Sequence, residues 1–159
     1  MKGQGRSSEG HPVKIAEVLE VLKGRNIPLI SEDSTVEDAI ETMVRFPHSR
    51  LLYVVDTDGR LKGTISLGNL VRHFFYRSHE PQIHPRFLLS MITTETAKDI
   101  MERHPIFATE EQDVERVLKR MVEKNVKEIA VLDSEKKLVG DMTMIDLLKF
   151  QLDRRAKKP

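Results

Sequence analysis

Two short residue pairs carry the chemistry that stands out in this chain. Thr143 is followed three positions later by Asp146, and Ser66 is followed at the same spacing by Asn69. A hydroxyl that ends a strand then lies beside the carboxylate or amide that opens the next helix. A carboxylate so placed can accept two hydrogen bonds from a vicinal diol, as an acidic residue reads a ribose in other nucleotide folds. The helix N-terminus favours a phosphate nearby, and strand edges supply apolar walls and backbone partners for a purine ring. Thr143 and Asp146 can equally act as strand end and helix cap, a role worth about 1 kcal/mol. The two roles are compatible. Asn69 lacks the charge that makes such bonds about twice as strong, so its site is expected to be weaker, differently selective or empty.

Other reactive groupings are thinner. His73, His79, Glu80 and His84 could in principle hold zinc, but their spacing fits no common motif and Pro81 and Pro85 interrupt the segment. No metal is expected there. Asp141 follows Gly140 on an apolar run, and a carboxylate on an interior strand is costly unless partnered. It could pair with a base or face a cleft; a solvated strand end is the reading preferred. The chain has no Cys, which removes disulfides and thiolate nucleophiles together. It also lacks a Gly-rich phosphate loop, an HExxH pair and a nucleophile elbow, so an enzyme is not expected. Lys+Arg 26 against Asp+Glu 25 leaves a formal charge of +1, with no basic stripe to draw nucleic acid. No apolar run approaches the roughly 20 residues of a membrane span.

The elements that must position these pairs occur twice. Val36 and Met43 recur as Val114 and Met121 at an offset of 78, while Asp56, Gly63, Ser66 and Asn69 recur as Asp133, Gly140, Thr143 and Asp146 at 77. One extra residue within 46–50 accounts for the change. Val36, Ala39, Ile40 and Met43, and likewise Val114, Val117, Leu118 and Met121, mark one face of a helix. Ser34 with Glu37 has capping-box spacing; Asp113 could cap the second helix without such a partner. LLYVVD and EIAVLD read as strands, TDGR and SEKK as hairpin turns, LKGTIS and LVGDMT as return strands, and GNLVRHF and MIDLLKF as short helices. Each copy is therefore strand, helix, hairpin, helix. RFLLSMI in the connector reads as an apolar helix, and LDRRAKKP as a fraying basic tail.

This arrangement resembles the CBS (cystathionine β-synthase-type) domain family, whose modules occur in tandem pairs. TAKDIMERHPIFAT is similar to the family's entry, and VLDSEKKLVGDMTMIDLL to its end: a Gly, two apolar residues, Thr or Ser, two variable residues, then Asp. The resemblance covers roughly Val13–Phe150. It implies an α/β (α+β) fold of two βαββα modules about a pseudo-two-fold axis, with two clefts that commonly hold AMP, ATP or S-adenosylmethionine. The expected division is a polar flexible leader without a signal-peptide stretch (1–10), module one (11–75), connector (76–93), module two (94–152) and tail (153–159). Some family members bind phosphate just before the first hairpin strand, where this chain has Arg50 and Lys127, with His48 nearby. Glu128 beside Lys127 would oppose an anion. Ile30, Ser31, Ala108 and Thr109 fall where the family makes adenine contacts, largely through backbone. The expectation is a cytoplasmic regulatory protein with an adenosine nucleotide as its ligand and no required cofactor. It would form a homodimer and signal to a separate enzyme or transporter, with no direct nucleic-acid binding and no membrane insertion. A ligand-free dimerisation module is the alternative.

Overall fold

Every position of Leu51–Val55 is apolar, which suits a strand covered on both faces. The computed structural model, which describes residues 11–78 and 95–158, places it so. In chain order the elements are α1 (Ile15–Val21), β1 (Leu29–Ser31), α2 (Val36–Arg45), β2 (Leu51–Val55), β3 (Leu61–Ser66) and α3 (Leu67–Ser78). They continue with α4 (Ala97–Ile100), β4 (Phe107–Thr109), α5 (Val114–Glu123), β5 (Glu128–Leu132), β6 (Leu138–Thr143) and α6 (Met144–Ala156). Two three-stranded sheets result, β1-β2-β3 and β4-β5-β6. In each, the first pair is parallel across a helical crossover and the second is an antiparallel hairpin.

The period-2 alternation of a strand divides each central strand between two cores. Leu52 and Val54 pack with Val36, Ala39 and Met43 of α2. Ile129 and Val131 pack with Val114, Val117 and Met121 of α5. The opposite faces meet each other: Tyr53, Ala130 and Leu132 form the buried layer between the sheets. The two copies are related by an approximate two-fold through the hairpin ends. There Arg60 bridges Lys137, its own equivalent, and Leu61 N and Leu138 N donate to Lys136 O and Gly59 O, each at 3.1 Å.

The entry helices are exchanged. Ile15 and Val18 of α1 lie in the core around α5 and β5, and Ala97 of α4 lies in the core around α2 and β2. The backbone repeats the exchange: Ile15 N donates to Gln112 O, and Ala97 N to Ser34 O. Gly63 and Gly140 make room for it. A Cβ on Gly63 would lie 2.5 Å from the Glu102 carbonyl, and one on Gly140 would lie 2.6 Å from Leu19 Cδ2. Chain order alone does not display this, because the repeat aligns each entry segment with the copy it precedes.

Local signals differ from expectation in four places. The cap of α2 is Thr35, not Ser34: Thr35 Oγ1 accepts from Asp38 N at 3.1 Å and Asp38 Oδ2 from Thr35 N at 3.0 Å. Ser34 uses its carbonyl for the entry helix instead. Asp113 makes no cap bond; its carboxylate holds Lys14 Nζ at 2.5 Å. The basic C-terminal segment is helical through Ala156, and α3 continues through Ser78. The RFLLSMI helix, the leader 1–10, His79, Glu80 and His84 lie outside the described residues.

Candidate functional site

At the end of β6, Thr143 caps α6. Its Oγ1 accepts from Asp146 N at 3.1 Å, and Asp146 Oδ2 accepts from Thr143 N at 2.8 Å. Hydroxyl and carboxylate are therefore side by side, as their spacing suggests. Asp146 has a further partner that spacing does not reveal. Arg25, between α1 and β1, donates from Nη1 to Asp146 Oδ2 at 2.7 Å. Its Nη2 donates to Asp141 Oδ1 at 3.0 Å and to the Asp141 carbonyl at 2.9 Å.

Asp141 is thus not a solvated strand end. It is 6% exposed, and Arg25 is the partner that makes this burial tolerable. Burial pushes the Asp141 carboxyl above its ordinary range, against the pull of Arg25. Arg25 itself is lowered by burial, but its bonds and charge contacts with Asp146 and Asp141 outweigh this and raise it. The Tyr53 hydroxyl lies 3.4 Å from Asp141 Oδ2, too far for a strong bond, and burial drives that phenol well upward.

Glu128, read from the sequence as opposing an anion beside Lys127, is also a partner of the first copy. It is buried and reaches into the first copy, accepting Arg50 N on Oε1 and Ser49 Oγ on Oε2, both at 2.8 Å. Burial raises its carboxyl above the ordinary value, with the two hydrogen bonds opposing.

A cavity of about 370 Å³ opens between the copies beside this network. Arg25, Asn26, Arg45, His48, Ser49, Asp141 and Thr143 are among its walls. Of the residues expected from sequence, His48 and Thr143 line it, and Asp146 adjoins it through Arg25. Arg50 is an exposed neighbour whose amide serves Glu128. Lys127 is exposed on the other copy, with Nζ 3.4 Å from Asn125 Oδ1. Ile30 and Ala108 point into the helix-side cores, which leaves only their backbone for a ligand; Ser31 and Thr109 continue the same strands. At the equivalent place in the first copy, Ser66 Oγ accepts from Asn69 N at 3.1 Å, and the Asn69 carbonyl oxygen accepts from Arg72. Arg25, Asn26 and Arg45 escaped the sequence reading because none belongs to a repeated position that stood out. His73 pairs with Glu95, and among the described residues no group of three or more His, Asp or Glu is placed to hold a metal. Among those residues no helix is long and apolar enough to cross a membrane.

The family model for the CBS domain matches residues 15–76 and 97–153. Inosine-5'-monophosphate dehydrogenase of Methanocaldococcus jannaschii is 27% identical over 139 residues, 87% of this chain and 24% of that enzyme. The chain thus spans about a quarter of that relative's length. A CBS domain-containing protein of Thermotoga maritima matches in structure with a TM-score of 0.70 at 25% identity, covering 91% of this chain and 97% of that one. CBSX2, solved in complex with AMP, matches with a TM-score of 0.70 at 19% identity, covering 89% and 98%.

Proposed function

This chain belongs to the CBS domain family as a tandem pair of modules, and on that premise we propose that it is a regulatory unit that binds an adenosine-type nucleotide between them. The observation that carries this reading is the cavity of about 370 Å³ whose walls come from both copies, beside the Thr143–Asp146 pair. Its size falls within the roughly 300–1,000 Å³ of small-molecule sites. The likeness to a fold that holds AMP in CBSX2 supports the ligand class. Thr143 and Asp146 would face the ribose, with Arg45 and His48 at the phosphate end and Arg50 and Lys127 as further cations. The Ser66–Asn69 side is the weaker of two clefts. A ligand that bridges both copies and prefers one angle between them shifts that angle, and a separate enzyme or transporter reads the change. No cofactor and no catalytic step are needed, and the cytoplasm is the setting in which such nucleotides are met.

Calorimetry with AMP, ADP, ATP and S-adenosylmethionine tests the reading. The expected result is saturable binding that weakens about tenfold in Asp146→Asn, which keeps the cap but removes the charge. Absence of heat with all four compounds would overturn it.

A second reading, a dimerisation module without ligand, draws on a different observation. Val44, Val71 and Phe74 of α2 and α3 are exposed, as are Val122, Ile145, Leu148 and Leu152 of α5 and α6. Apolar helix faces of this kind suit a homodimer. A dimer in sedimentation that binds none of the four compounds would favour this second reading.

A further inference from the structure

Arg25 occupies the carboxylate that the proposed ribose site needs. Asp146 Oδ2 already accepts from Thr143 N at 2.8 Å and from Arg25 Nη1 at 2.7 Å. A vicinal diol arriving here meets one unengaged oxygen, Oδ1, rather than an open carboxylate. The two ends of the guanidinium are held unequally. Nη2 is fixed by two bonds to Asp141, whereas Nη1 has the single bond to Asp146. The side chain is one-third exposed, so Nη1 can move without uncovering the buried Asp141. Arg25 also stands between two cavities. It lines the 370 Å³ cleft on one side and, with Asp141, a 230 Å³ cavity against α1 on the other.

We propose that Arg25 is a specificity-determining gate that closes Asp146 to neutral nucleosides and opens for nucleotides carrying a phosphate. The proposal rests on the binding reading above. A phosphomonoester at the end of the cleft lined by Arg45 and His48 competes with Asp146 for Nη1, because a guanidinium fork fits phosphate as well as carboxylate. When Nη1 turns to the phosphate, Asp146 is released to the ribose hydroxyls. Phosphate recognition and ribose recognition are then one event. A nucleoside without phosphate finds Oδ2 still held by Arg25: it is limited to Oδ1, or it breaks the Arg25–Asp146 bond and supplies nothing to replace it.

The test is calorimetry with AMP and with adenosine on the wild-type chain, on Arg25→Lys, and on Arg25→Gln combined with Asp141→Asn. The double variant removes the guanidinium together with the buried charge it balances. Wild type should prefer AMP over adenosine. In the double variant that ratio should fall by about tenfold or more, the scale of one charge-assisted bond, with adenosine bound at least as well as by wild type. Arg25→Lys, a single point charge without a fork, should give an intermediate ratio. An AMP-to-adenosine ratio unchanged in a cooperatively folded double variant overturns the gate. If the double variant does not fold, an unchanged ratio in Arg25→Lys does so. Wild-type binding with either of these outcomes leaves the binding reading standing. A wild type that binds neither compound overturns the gate, and the binding reading falls with it only where ADP, ATP and S-adenosylmethionine also give no heat.

Discussion

Glu128 and Asp141 show how single residues can reverse the meaning of their neighbourhood. In the sequence Asp141 reads as a solvated strand end and Glu128 as a charge opposing an anion, yet each is buried in the seam between the copies. Glu128 accepts two bonds from the first copy, and its carboxyl is raised chiefly by burial. A raised acid holds its proton more tightly folded than unfolded. Its contribution to stability therefore falls as pH rises from the ordinary value of 4.5 through the raised one. Asp141 acts with the same sign. Glu128→Gln should be well tolerated, because Ser49 Oγ can donate to Leu51 O, 3.0 Å away, and accept from the new amide, while the amide oxygen keeps Arg50 N. Urea denaturation from pH 4.5 to 7 should show the variant gaining on wild type as pH rises. Parallel profiles would mean that Glu128 titrates alike in both states.

At the scale of elements, much of the arrangement was legible. Repeated helical spacing located α2 and α5, and the β-rich runs ending at Asp56 and Asp133, with the turns that follow them, located both hairpins. In each turn the Asp oxygen accepts from the amides two and four residues on, which is why the turns are equivalent although one lacks the Asp-Gly dipeptide. Lys136 takes the positive φ that Gly59 takes in the first copy. The α2 cap misled by one residue, because Ser34 and Thr35 are both hydroxyl-bearing and Glu37 and Asp38 are both acidic. Packing decides between them: Ser34 O is committed to Ala97 N at 2.7 Å, so its neighbour supplies the cap. Thr35→Ala should cost about 1 kcal/mol, whereas Ser34→Ala, which leaves that carbonyl in place, should cost a few tenths or less. Thermal denaturation of the two variants checks the order, and equal losses would contradict it.

At the scale of the whole molecule, the exchange of α1 and α4 makes the pair one folding unit rather than two modules on a tether. It stayed hidden because hydrophobic period reports which face of a helix is buried, not against which sheet. The Arg25 contacts were hidden for the same reason: Arg25 reaches Asp141 and Asp146 only because α1 crosses to the other copy. Ile15 and Val18 are among the most buried residues around β5, and burying each side chain contributes about 1.5–3 kcal/mol. That is a large share of the roughly 5–15 kcal/mol that holds a domain folded. A cut between Ser78 and Glu95 leaves the first sheet without Ala97 and the second without Ile15 and Val18. Each fragment alone should show neither a cooperative melt nor native circular dichroism, and an equimolar mixture should recover both. The uncut chain should unfold in one transition, coincident by near- and far-UV signals. A first fragment that melts cooperatively alone near the temperature of the intact protein would mean that α4 is dispensable and that the modules are independent after all.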